Sequence, residues 1–174
     1  YDRRVLIEKG LEHPIEVNCS VLGFDSEVRT SVTEMPTTSG GELLDFADKY
    51  LTGGGSKGMA SLKRIMPAPV GDEMIRRIES LSAQIFRALD CKGVVRIDYM
   101  LTKNDELYIT EINTIPGSMA FYLWQESGVS YPQLIDKLVE YAEKAFAEKN
   151  ENNYAYTSDI LNGVVLGGKK GGKL

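Results

Sequence analysis

Apolar and polar residues alternate along the early part of the chain: Ile15, Val17, Cys19 and Val21 are interleaved with Glu16, Asn18 and Ser20. A period of two marks a strand with one buried face, so residues 15–22 are expected to form a half-buried strand. Gly23 to Ser26 supplies a turn, and Val28, Thr30 and Val32 alternate again, which predicts an antiparallel hairpin. Upstream, Arg4 to Glu8 reads as a short strand ending before a turn at Glu12-His13-Pro14. Between Pro36 and Pro69 the period is lost among Gly40-Gly41, Gly53-Gly54-Gly55 and Gly58. A long excursion of that kind is usually functional or mobile.

The period changes to that of a helix at Asp72, with Met74, Ile78, Leu81, Ile85 and Leu89 on one stripe and Gly93 as its stop. Residues 94–101 and 107–113 read as strands around a polar turn centred on Asn104-Asp105. A short apolar piece from Met119 to Trp124, expected to be core or interdomain surface, precedes a last helix. That helix has Ser130 as N-cap, Gln133 three residues on and Pro132 in the first turn, and it is expected to bury Leu134, Leu138, Ala142 and Ala145. These elements predict an α/β (α+β) domain over residues 1–149, with a mostly antiparallel sheet and helices packed on it. Residues 150–174 open polar and close as Gly-Gly-Lys-Lys-Gly-Gly-Lys-Leu, the composition of a flexible tail.

Composition narrows the function classes. The 174 residues are 43% apolar and 26% charged, which excludes wholesale disorder. A net charge of −5 without a basic block argues against nucleic acid as a partner. Apolar runs such as Val94-Val95 and Val164-Val165-Leu166 fall far short of the roughly 18 residues of a membrane span. Cys19 and Cys91 are too few for a disulfide framework, and with His13 as the single histidine they make no Cys/His zinc site, so a reducing, cytoplasmic setting fits. His13 and Cys19 read as structural. The chain opens at Tyr1 with no leader pattern and is expected to be a fragment of a longer protein.

The candidate chemistry lies in the second hairpin. With the turn centred between Asn104 and Asp105, Ile97 faces Ile112, Tyr99 faces Thr110 and Leu101 faces Tyr108 on one largely apolar face. On the other face Asp98 lies opposite Glu111 and Arg96 opposite Asn113, so two carboxylates sit with Cβ atoms about 5 Å apart, where like charges repel. A hard divalent cation would explain the pairing, because Mg²⁺ is normally held by one or two carboxylates together with substrate phosphates. Asp98, Glu111 and the amide oxygen of Asn113 supply such a set; a solvated sheet edge is the alternative. Arg96 either neutralises Glu111 or stabilises developing anionic charge beside a metal.

Arg96-Ile97-Asp98-Tyr99-Met100, followed by Tyr108-Ile109-Thr110-Glu111-Ile112-Asn113-Thr114-Ile115-Pro116-Gly117, resembles the C-terminal half of the D-alanine–D-alanine ligases, members of the ATP-grasp superfamily. Glu8-Lys9-Gly10-Leu11 with Glu16, and Lys49-Tyr50-Leu51, extend the likeness over about residues 4 to 147. The resemblance implies that Asp98, Glu111 and Asn113 hold two Mg²⁺ ions, with Mn²⁺ as a substitute, bridging the phosphates of ATP. It implies that Glu8, Lys9 and Leu11 form a hinge strand reading adenine, that Glu16 binds the ribose and that Lys49 approaches the γ-phosphate. Tyr50 and Ser118 would line the substrate region, while Arg96 and the Gly117 N–H would stabilise a tetrahedral oxyanion. The implied reaction joins two D-alanines through an acyl phosphate for peptidoglycan precursors.

The family's N-terminal and central domains, with their glycine-rich phosphate loop, would be separate parts of the same protein, and a homodimer is compatible with the pattern. Gly53 to Gly58 lacks the order of a phosphate loop and reads as surface. After Gly117, Ser118-Met119-Ala120-Phe121-Tyr122 is shorter and more apolar than the family's usual loop. An ATP-grasp ligase for another carboxylate and amine, or a nucleotide- or metal-binding module without turnover, therefore stay open as alternatives.

Overall fold

The computed structural model describes residues 3–37 and 64–151. Its elements are β1 (Ile15–Phe24), β2 (Glu27–Pro36), β3 (Arg64–Ile65), α1 (Asp72–Ala88), β4 (Gly93–Leu101), β5 (Leu107–Asn113), a 3₁₀ turn (Gly117–Ala120), α2 (Phe121–Glu126) and α3 (Tyr131–Glu151). The strands form one five-stranded sheet in the order β3-β2-β1-β4-β5, every neighbouring pair antiparallel. The expected mostly antiparallel α/β arrangement is thus what the chain adopts.

One face of the sheet presents Val17, Cys19, Val21, Val95, Ile97, Tyr99 and Leu101 to Met74, Ile78 and Phe86 of α1. Leu22, Phe24 and Val94 lie on the other face, packed with Trp124, Leu134 and Tyr141 from the C-terminal helices. Covering both faces buries β1 on both sides from Val17 to Phe24, Asn18 and Ser20 included. The expectation of a half-buried strand is corrected here. Alternating polarity identifies the face that avoids α1, but that face is roofed by α2, whose Trp124 donates its indole N–H to Ser20 Oγ at 3.0 Å. Ser20 Oγ in turn donates to the Val95 carbonyl at 2.9 Å.

The first hairpin closes as expected, through Asp25-Ser26, with Phe24 opposite Glu27 and Asp25 at φ 51. Asp tolerates the left-handed conformation better than most side chains. Cys19 pairs with Thr33 but Val21 with Thr30, so β2 carries one extra residue near Ser31. Side chains satisfy the disrupted ladder: Ser20 N–H donates to Ser31 Oγ at 2.9 Å and Val32 N–H to Ser127 Oγ at 2.9 Å.

Three further expectations are corrected. Arg4 to Glu8 is not a strand; Val5, Leu6 and Ile7 are each at least 80% exposed, because no sheet edge among the described residues pairs with them. The first helix ends at Ala88 rather than running to Gly93, and Leu89 is exposed, because Asp90 turns the chain with φ 50. In α3 the buried side chains are Leu134 and Tyr141, with Leu138 and Ala145 half-buried, while Ala142 faces solvent. Positions 134, 138, 141 and 145 follow the 3.6-residue period, and 142 falls one residue off it. Of the capping box expected at Ser130, the return half forms: the Ser130 N–H donates to Gln133 Oε1 at 2.9 Å, and the Ser130 hydroxyl donates to the same oxygen at 2.8 Å. Of the tail expected over residues 150–174, the part from 152 onward lies outside the described residues.

The core makes an alkaline prediction. Burial pushes the Cys19 thiol up from 9.0 to about 12, and burial likewise raises the Tyr99 hydroxyl from 10.0 to about 12. The folded chain keeps protons that the unfolded chain releases, so stability is full below pH 9 and falls as pH rises toward 12. Cys19→Ala should lower stability at neutral pH, by removing buried volume, yet flatten the alkaline limb by up to about 1.4 kcal/mol per pH unit. Urea denaturation at about pH 8 and pH 10.5 measures this; an equal loss in parent and variant would refute it.

Candidate active site

The β4–β5 hairpin places the chemistry on the face roofed by α2. Arg96 pairs with Asn113, Ile97 with Ile112 and Asp98 with Glu111, the register expected from sequence. Beyond Asp98 the register shifts: Tyr99 pairs with Ile109, Met100 with Tyr108 and Leu101 with Leu107. The expected pairs Tyr99–Thr110 and Leu101–Tyr108 are therefore wrong, and the connection is a loop closed by Thr102 N–H on the Glu106 carbonyl at 2.9 Å. Thr110 is the extra residue of a bulge. Its hydroxyl donates to the Asp98 carbonyl at 3.0 Å, stitching the bulge beside the site. Packing demands the bulge: Leu107 and Ile112 both lie against the core under α1, and they can share that face only if one residue between them is skipped.

Asp98 is 3% exposed and is fully engaged on one side. Arg96 Nε donates to its Oδ1 at 2.7 Å and Nη2 to its Oδ2 at 2.8 Å, a bidentate pair. Asn113 Nδ2 adds a third bond to Oδ2 at 3.2 Å. The guanidinium thus neutralises Asp98 rather than Glu111. Burial works against the charge on Arg96, but the hydrogen bonds and field of Asp98 outweigh it, so its pKa is raised and it stays a cation.

Glu111 is exposed, with no side-chain partner among the described residues. Because Asn113 uses its Nδ2 on Asp98, its Oδ1 is left as an acceptor. The donor set is therefore a solvent-facing carboxylate, an amide oxygen and the remaining lone pair of Asp98. No three His, Cys, Asp or Glu side chains gather into a metal cluster among the described residues. The hard oxygens present fit Mg²⁺ if phosphate and water complete its shell.

Other candidate residues are placed unevenly. Glu16 is half-buried on β1, on the same face as Asn18, whose cross-strand neighbour is Asp98. Glu8 and Lys9 are exposed and Leu11 half-buried in an irregular segment. Lys49 and Tyr50 lie outside the described residues, as do Gly53 to Gly58. Gly117 and Ser118 are exposed, just past the hairpin. Ser118, Met119 and Ala120 take φ values of 52, 56 and 50, a left-handed turn of non-glycine residues. Such backbone costs roughly 1–2 kcal/mol per residue and survives where surrounding packing over-determines it. Ala120 and Leu123 at 0% exposure, and Met119 N–H on the Pro116 carbonyl at 2.9 Å, supply that packing.

A neighbouring cluster escaped the sequence reading. Glu34, 2% exposed on β2, accepts from Asn18 Nδ2 at 3.2 Å, Tyr122 OH at 2.7 Å and Arg64 Nη1 at 3.1 Å. The Arg64 guanidinium lies 3.8 Å from the centre of the Tyr122 ring. Glu34, Asn18, Asp98 and Glu111 form a continuous cross-strand row over β2, β1, β4 and β5. The available signal was a charged Glu34 following the alternating Val28, Thr30 and Val32.

The model of the family "D-ala D-ala ligase C-terminus" matches residues 1–140. The D-alanine–D-alanine ligase of Thermosipho africanus is 32% identical over 161 residues, covering 92% of this chain and 42% of that protein. The corresponding ligase of Streptomyces coelicolor is 40% identical over 147 residues, 82% of this chain and 36% of that protein. Among solved structures, the D-alanine–D-alanine ligase of Coxiella burnetii superposes with TM-score 0.63 at 22% identity, over 83% of this chain and 36% of that one, a likeness of fold. The VanG D-Ala:D-Ser ligase of Enterococcus faecalis superposes with TM-score 0.56 at 27% identity, over 76% of this chain and 37% of that one. The chain thus spans about two fifths of the length of the curated relatives it matches. With that match over most of its length, the chain belongs to the D-Ala–D-Ala ligase C-terminal family.

Proposed function

We propose that the full protein is an ATP-dependent carboxylate–amine ligase that joins two D-alanines for peptidoglycan precursors. In this reading residues 1–149 are the C-terminal portion of the catalytic unit and 150–174 a tail. The supporting observation is the bidentate Arg96–Asp98 pair set beside the exposed Glu111 and Asn113, whose Nδ2 is spent on Asp98. A fixed cation beside such oxygen donors suits stabilisation of the negative charge that develops on an acyl oxygen better than simple ion binding does.

Asp98, Glu111 and Asn113 would hold two Mg²⁺ ions, Mn²⁺ serving as well, and the metal would neutralise phosphate charge. The first carboxylate oxygen attacks the γ-phosphorus as ADP leaves. The second amine then attacks the acyl carbon, phosphate departs and the amine loses its proton. Arg96, fixed by Asp98, and the Gly117 N–H would face the oxyanion of that second step. Ser118 and Tyr50 would line the substrate region, Lys49 the γ-phosphate, Glu16 the ribose and Glu8, Lys9 and Leu11 the adenine. A cytoplasmic setting and a homodimer are part of the proposal, the latter tested by sedimentation; among the described residues no helix is long and apolar enough to cross a membrane.

The test is phosphate release by the full-length protein with ATP, Mg²⁺ and single amino acids. Release with D-alanine and formation of the dipeptide support the reading. Release only with another amino acid would move the substrate assignment and keep the reaction class; none with any amino acid would favour a binding module. The chain of 174 residues by itself is expected not to ligate, since the family's other domains carry the rest of the grip on phosphate and first substrate.

A further inference from the structure

We infer that Glu34 is a positioning residue that keeps the amino end of Asn18 away from Asp98 and so preserves the last free lone pair of Asp98 for a cation. The inference rests on reading Asp98, Glu111 and Asn113 as metal ligands. Asn18 is 3% exposed and lies in register between Glu34 on β2 and Asp98 on β4. Its Nδ2 donates to Glu34 Oε1 at 3.2 Å, which turns Oδ1 off Glu34. Among the described residues that oxygen is buried with no hydrogen-bond partner. An unsatisfied buried acceptor costs about 1–3 kcal/mol, so an orientation that tolerates it has a cause.

The cause is electrostatic and lies on the Glu34 flank, because Asp98 would itself attract the NH₂. A reversed amide would press Oδ1 against the Glu34 carboxylate, which Arg64 and Tyr122 hold in place. Burial, then the field and hydrogen bond of Glu34, raise the pKa of the Tyr122 hydroxyl, so it remains a donor. Reversal would also aim an NH₂ at Asp98. A carboxylate offers about four lone-pair sites, and Asp98 already accepts from Arg96 Nε, Arg96 Nη2 and Asn113 Nδ2. A fourth donor would occupy what a metal ion needs. Glu34 therefore acts on the ligand row from two strands away, through the one amide between them.

Mn²⁺ titration followed by EPR, on the full-length protein with a non-hydrolysable ATP analogue, tests this without turnover. In Glu34→Gln the new amide can face Asn18 with its NH₂ as readily as with its oxygen, so Asn18 can turn. Mn²⁺ should bind about tenfold more weakly, the scale of a lost outer-shell interaction. Glu34→Asp keeps the charge beside Arg64 but falls short of the amide and should weaken binding similarly, which provides a second route if Glu34→Gln folds poorly. Adding Asn18→Leu to either variant removes the offending NH₂ at nearly constant shape and should restore most of the affinity. A merely structural role predicts the opposite, further loss in the double variant. Parent-like binding by both Glu34 variants, or no rescue, overturns the inference while leaving the metal site standing. Absence of Mn²⁺ binding by the parent overturns the metal reading and this inference with it.

Discussion

Glu111→Gln in the full-length protein should lower Mg²⁺-dependent turnover by about 100-fold or more while leaving stability nearly untouched. The substitution keeps size and one amide oxygen but deletes the negative charge proposed to be shared between two cations. Sequence alone suggested that the change would also relieve repulsion from Asp98. The structure reduces that expectation, because Arg96 already neutralises Asp98 through two hydrogen bonds. Glu111 is exposed, so the stability change should stay within about 0.5 kcal/mol, as at ordinary surface positions. Kinetics over a range of Mg²⁺ concentrations, with metal-free thermal melts beside them, measure both quantities. Parent-like turnover throughout that range would return Glu111 to the role of a solvated edge residue.

Asp98→Ala should have the largest effect on stability, a loss of about 3–5 kcal/mol, because it strands the buried Arg96 cation. Against a typical total of about 5–15 kcal/mol, a loss of that size could unfold a marginal domain. The pair itself is not expected to be a net source of stability. Replacing both members by apolar residues, Arg96→Met with Asp98→Leu, should recover most of the loss, since desolvating two charges offsets much of their attraction. Activity should be absent in both variants. Urea denaturation of parent, single and double variants decides the matter: a double variant as unstable as Asp98→Ala would show that the ion pair is structural rather than retained for chemistry.

The amino-acid sequence by itself determined the local periods and the hairpin that carries Asp98 and Glu111. Two-residue alternation located β1 and β2 and a 3.6-residue stripe located both long helices, whereas Asp98 meets Glu111 only because the bulge at Thr110 offsets the register set by the 102–106 loop. The periods are properties of neighbouring residues, set by side-chain direction along a strand or helix. Only the tertiary structure decided which faces were covered. Ser20 looks solvated until Trp124 roofs it, and Glu34 looks like a surface carboxylate until Arg64, Tyr122 and Asn18 converge on it. Arg96 had several carboxylates within reach of a long side chain, and packing assigned it to Asp98. The bulge at Thr110 likewise follows from the need to bury Leu107 and Ile112 together, a demand imposed by α1 across the sheet rather than by the hairpin.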